Sequence, residues 1–152
     1  MKKIWCLIPL LLIALLLSAC GAENAAVEDC EWELRMVMRS KVENATSEND
    51  LIVAVGGTYT LLYPSAKAVD VTVTAKDGKI TVKDATNNKT HEGTYRPLEE
   101  TKTGTEYVFT FGEQMGYGLV ELTEASKDTT TLSFAISIGE YSLYLFPKTV
   151  AE

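Results

Sequence analysis

Three cysteines, one histidine and two neighbouring pairs of acids are the side chains of this 152-residue chain most suited to chemistry. A cysteine thiolate is both a nucleophile and an acceptor for acyl or lipid groups. Cys20 closes the apolar run Leu15-Leu16-Leu17-Ser18-Ala19, and the chain turns polar directly after it with Gly21-Ala22-Glu23-Asn24. Cys30 lies between Asp29 and Glu31, and acidic neighbours disfavour a reactive thiolate, so it reads as a small half-buried residue. His91 is the lone histidine. A serine triad would have to run through it, yet no Gly-x-Ser-x-Gly elbow, phosphate loop or zincin motif accompanies it. Clusters of His, Cys and carboxylates at metal-ligand spacing are missing as well. Asp84 to Asn88 offers oxygens but lacks the glycine and distal glutamate of a calcium loop, so turn chemistry accounts for it. Glu99-Glu100 and Glu121 with Glu124 are the pairs that would do glycosidase-type work. Their polar surroundings read as solvated chain instead. The expectation is a protein that is not an enzyme, has no catalytic residues and needs no cofactor or metal.

The thiol at position 20 is explained by what precedes it. Lys2 and Lys3 form a positive start, the sixteen residues Ile4 to Ala19 are almost all apolar, and small residues end the run. These are the parts of a secretory signal, and the run is short for a bilayer span of about 20 residues. Leu17-Ser18-Ala19-Cys20 resembles the lipobox of bacterial lipoproteins. That resemblance implies diacylglyceryl transfer to the Cys20 sulfur, cleavage before Cys20 and a chain held to the membrane by lipid on its extracytoplasmic side. The alternatives are a plain secretory leader with a chance cysteine and a retained membrane helix. The resulting division is a signal peptide over 1–19, a lipidated cysteine and tether over 20–29, and one domain over 30–148.

Removing residues 1–19 takes Lys2 and Lys3 away, so 12 basic residues face 21 acidic ones and the net charge is −9. Such a balance excludes nucleic acid, whose phosphates need Lys and Arg, as a partner. It also leaves no polybasic attraction to anionic headgroups. Cys6 departs with the leader and Cys20 is taken by lipid, so no second cysteine is left to form an intrachain disulfide.

The elements that must position anything else are strands. From Cys30 to Pro147 apolar residues recur with period two, the mark of strands with one buried face. Trp32, Leu34, Met36 and Met38 share one face of a first strand, Cys30 to Arg39. Leu51 to Val55 follows a polar loop, and Tyr59 to Tyr63 reads as a strand or a short buried turn. Val69, Val71 and Val73 lead through Asp77-Gly78 to Ile80 and Val82, the clearest hairpin signal in the chain. A further strand near Lys89 to Arg96 is expected to stop at Pro97. Tyr107, Phe109 and Phe111 share a face, Gly112 to Gly116 turns into Tyr117 to Leu122, and Leu132 to Ile138 pairs through Gly139-Glu140 with Tyr141 to Phe146.

The fold class is therefore all-β, an antiparallel up-and-down meander of about eight strands. The period fits a closed barrel or a two-sheet sandwich, and consecutive hairpins favour the barrel. A Trp in the first strand, a meander of about eight strands and a domain near 120 residues resemble the lipocalin-like (calycin) barrels over residues 30 to 147. The family's first-strand glycine position is Cys30 here. The resemblance implies an interior that holds a small apolar or amphipathic ligand. Trp32, Met36, Met38, Tyr107, Phe109, Phe111 and Phe134 are the side chains to line such a pocket, with methionine adapting to a guest. The alternative is that they fill the core, and that the protein binds another envelope protein through loops or a strand edge.

Overall fold

Alternating side chains and turn-forming pairs wind the chain into strands throughout the computed structural model, which describes residues 25–41, 43, 45–126 and 129–148. The strands in chain order are β1 (Trp32–Arg39), β2 (Ile52–Val55), β3 (Lys67–Ala68), β4 (Val71–Lys76), β5 (Lys79–Asp84), β6 (Lys89–Glu100), β7 (Gly104–Phe111), β8 (Gln114–Ser126), β9 (Thr129–Ile138) and β10 (Tyr141–Pro147). A 3-10 turn spans Glu48–Leu51, and a one-turn helix, α1, spans Tyr59–Leu62. None of the helices described is long and apolar enough to cross a membrane. The leader and Cys20 lie outside the described residues.

Neighbouring strands from β4 to β10 pair in sequence order, and β10 pairs with β1, which in turn pairs with β4. Eight antiparallel strands thus close into a barrel, and the sandwich is ruled out. Closure leaves the barrel strands without a free edge to template aggregation. β2 and β3 are additions outside the cycle. One edge of β1 is shared, Trp32 and Glu33 pairing with β4 and Met36 to Met38 with β2, while β3 runs parallel to β2.

The hairpin at Asp77-Gly78 forms as its residues require. Both take positive φ, 51° and 76°, which Asp tolerates and Gly adopts freely. In the next turn Asn87 donates from its backbone N to Asp84 Oδ1 at 3.0 Å and from Nδ2 to Asp84 Oδ2 at 2.6 Å, and Asn88 takes φ 50°. This is the Asx chemistry expected of the segment.

Four local expectations change. Pro97 does not stop β6, which runs on to Glu100 across a register shift between Pro97 and Glu99. An irregularity is where a strand tolerates a residue with no N–H to offer. β8 runs from Gln114 to Ser126, well beyond Tyr117 to Leu122. Tyr59 to Tyr63 is neither strand nor buried turn: it contains α1, which buries none of its residues. The fourth lies in β1. A bulge between Leu34 and Met36 adds one residue, and a bulge of one inverts the facing of everything after it. Val37, paired with Leu143, packs on the core, while Met36 pairs with the exposed Tyr144 and Met38 with Ser142.

Candidate functional site

The barrel axis is the place to look for a ligand, and its occupants are the chain's own rings. Trp32, Phe109 and Phe134 are each 0% exposed. Phe134 meets Trp32 edge-on at 5.2 Å between ring centroids and Phe109 at 5.5 Å. Tyr107 lies 5.9 Å from Phe109, and Tyr95 joins both at 5.8 and 6.2 Å. Centroid separations of 4.5–7 Å in tilted and edge-on pairs are those of packed aromatics in a protein core. Ile80, Val73, Val120 and Leu145, also buried, close around the rings.

Small residues make room for the large ones. Gly118 on β8 faces inward, and a Cβ there would lie 2.6 Å from the Phe109 ring and 2.9 Å from the Ala135 carbonyl oxygen. Gly93 on β6 stands in the same relation to the Phe111 ring. Alternating small and large side chains is how a narrow barrel is filled.

One end of the barrel is stoppered by residues read from the sequence as tether. Val27 is 0% exposed and Ala25 2%, and both belong to the core. Trp32 Nε1 donates to the Val27 carbonyl oxygen at 2.7 Å, and the Val27 N–H donates to Tyr107 Oη at 3.2 Å. Glu28 Oε1 accepts from the Tyr95 hydroxyl and from the Asp77 N–H. Buried polar groups need such partners, and here they fasten the segment to β1, β6, β7 and the β4–β5 turn. Ala25 and Val27 thus belong to the compact unit, although they lie ahead of the expected boundary at residue 30. At the opposite end Arg39 Nη2 donates to Tyr141 Oη at 2.7 Å, its guanidinium sits 5.3 Å from the Tyr141 ring centre, and Glu140 is 3.3 Å away. The hydrogen bond to Tyr141, then the Glu140 carboxylate, holds the guanidinium further into its charged range.

Of the seven side chains expected to line a pocket, five face the interior: Trp32, Tyr107, Phe109 and Phe134 are buried, and Phe111 packs on them half-buried. Met36 and Met38 are placed on the outer face by the bulge. There they enter a row that pattern reading missed. Glu106, Leu119, Ala135, Tyr144 and Met36 are successive cross-strand partners from β7 round to β1. Val108, Tyr117, Ser137, Ser142 and Met38 form the row beside it. Tyr117 is 57% exposed, and a surface cleft of about 240 Å³ lined by Leu98, Tyr117, Leu119 and Ala135 lies between the rows. The available signal was the outward half of β8 and β10, where Tyr117, Leu119 and Tyr144 alternate with inward residues.

The remaining candidates do not converge. A cleft of about 480 Å³ over β5, β6 and β7 is lined by Lys79, Thr81, Glu92, Thr94 and Thr110, with no nucleophile and base in hydrogen-bond contact. His91 is exposed on β6 opposite Val82. Glu99 and Glu100 are exposed, and Glu121 and Glu124 line different clefts. Among the described residues no group of three or more His, Cys, Asp or Glu is placed to hold a metal ion. Asp50 accepts from the Thr46 N–H and hydroxyl and the Ser47 N–H, which hold its carboxyl below the usual aspartate range and brace the loop before β2. Compared with family models, curated proteins and solved structures, the chain matches none.

Proposed function

We propose that the chain is a lipid-anchored lipoprotein of the bacterial cell envelope, facing the extracytoplasmic side, whose lipocalin-like barrel is a non-enzymatic interaction module. Lipid on Cys20 holds it to the membrane, as the Leu17-Ser18-Ala19-Cys20 motif implies. The barrel binds from its outer surface and not from its interior.

The observation that carries this reading is the packing of Trp32, Phe109 and Phe134 against one another at 0% exposure, beneath a stopper anchored by Val27. A guest the size of a fatty acid needs roughly 300 Å³ or more of enclosed space. Making that space would require displacing several buried rings, at about 3–5 kcal/mol for the loss of each aromatic. The outer rows, by contrast, present Tyr117, Tyr144 and Met36 where a protein surface can reach them, and aromatic and methionine side chains are favoured at interfaces. An envelope protein is the partner that suits this face.

Thermal unfolding in the presence of a panel of fatty acids and other apolar compounds tests the reading. A guest held at a hundred times its dissociation constant would add about 2.7 kcal/mol of stability. The midpoint is expected to stay constant across the panel. A saturable rise with any member would assign the interior to a ligand and overturn the proposal.

A further inference from the structure

The segment between β2 and β3 combines features that the barrel does not need. Residues 51–66 carry no Asp, Glu, Lys or Arg in a chain that is 23% charged. At its centre Leu61 is 84% exposed and Leu62 67%, the most exposed large apolar side chains among the described residues. They are not there by looseness. α1 is closed by Tyr63 N–H to the Tyr59 carbonyl at 3.0 Å, Thr60 Oγ1 donates to the Gly57 carbonyl at 2.9 Å, and the Tyr59 and Tyr63 rings stack at 6.3 Å. Gly57, at φ +54°, sits against the Arg35 guanidinium, itself paired with Glu33 at 3.0 Å. The two leucines are thus held outward on a braced turn.

Where the turn lies suggests what covers it. Thr58 and Tyr59 share a cleft of about 430 Å³ with Thr123, Glu124, Thr131 and Pro147, which belong to the ends of β8, β9 and β10. Pro147 is the cross-strand partner of Trp32, and Trp32 holds Val27. The turn and the entry of the N-terminal segment therefore occupy the same end of the barrel. Cys20 and Ala25 are five residue steps apart, so the chain between them reaches at most roughly 17 Å. A lipid at Cys20 would tether the protein through this end of the barrel.

We infer that the Tyr59–Tyr63 turn is a second membrane contact, with Leu61 and Leu62 dipping into the headgroup region of the bilayer that holds the Cys20 lipid. Tyrosines flank the leucines as they do at membrane–water boundaries, and Lys67, exposed, follows at the water side. The contact is apolar, which suits a domain whose net charge of −9 offers no attraction to anionic lipid. The diacylglyceryl group on Cys20 already supplies two acyl chains, enough for stable anchoring. The turn adds to that anchorage and also fixes the barrel's orientation, presenting the outer rows sideways along the membrane. This inference rests on the lipidation reading, and the experiment separates the two.

Full-length protein carrying Cys30→Ala and Leu61→Cys is produced with its leader in a bacterial host, purified, spin-labelled at position 61 and mixed with phosphatidylcholine vesicles. A second sample carries the label at Glu140, at the far end of the barrel. Flotation of the vesicles reads the anchor, and power saturation with oxygen against a water-soluble nickel chelate reads the depth of each label. The expected result is flotation, with position 61 losing chelate accessibility and gaining oxygen accessibility while position 140 stays in water. Flotation with position 61 in water would overturn the second contact and leave the anchor standing. Failure to float would overturn both. Equal protection of position 61 without vesicles would show that a second copy of the chain covers the turn, and the inference would fall.

Discussion

Gly118 shows how much of this fold is decided by single atoms. Its inward position on β8 is vacant of side chain, and the Phe109 and Phe134 rings use the space. Adding one methyl group, Gly118→Ala, places carbon 2.6 Å from one ring and 2.9 Å from the Ala135 carbonyl oxygen. Overpacking of this kind costs about 1–3 kcal/mol. Chemical denaturation of the variant is expected to show that loss, and wild-type stability would contradict the account of a filled interior. At the residue scale the sequence was informative about which side chains are large and apolar and uninformative about which glycine faces them. Trp32, Phe109 and Phe134 are legible as inward-facing by period two alone. Val27 is not, because its burial depends on the indole of Trp32 and the hydroxyl of Tyr107, which arrives from 80 residues away.

At the scale of elements, local chemistry predicted best where it acts locally. Asp77-Gly78 makes its hairpin because the two residues can take the required positive φ with no outside help. The Asp84 turn is similar, and it is pH-sensitive. The Asn87 side-chain amide, ahead of its backbone N–H, holds the Asp84 carboxyl below the ordinary 3.8 of an aspartate. A carboxyl with a depressed folded-state value adds stability above its unfolded value and loses it as pH falls through the folded one. Asp84→Ala is therefore expected to lower the thermal midpoint at neutral pH and to narrow its gap to the wild type as the pH drops below about 4. A gap that persists unchanged into acid would mean that the carboxylate is not what holds the turn. The bulge in β1 is the contrary case. Nothing near Arg35 requires an extra residue; the register is set by β10, more than 100 residues on, and it turns Met36 and Met38 outward. Pro97 fails as a stop signal for a like reason, since β7 and β6 pair on both sides of it.

For the whole molecule, closure is the organising fact. β10 pairs with β1, the meander becomes a barrel, and every inward residue then competes for one narrow interior. Aromatics fill that interior and Ala25 and Val27 cap it. The proposed membrane-bound interaction role draws on two features of the outer surface, the apolar turn beside the N-terminal entry and the tyrosine–methionine face on the flank. Period-two patterning anticipated the strands, and the run of consecutive hairpins anticipated their closure into a barrel. Neither was enough to separate a hollow barrel from a filled one, because both barrels place the same residues inward.

Trp32 tests that distinction most directly, since in a chain produced from Gly21 onward it is the sole tryptophan. Its emission and its quenching by acrylamide would be measured in lipid-free protein, before and after fatty acid is added. The account predicts blue-shifted emission, little quenching and no change on addition. Red-shifted, readily quenched emission that moves to the blue saturably with fatty acid would contradict it.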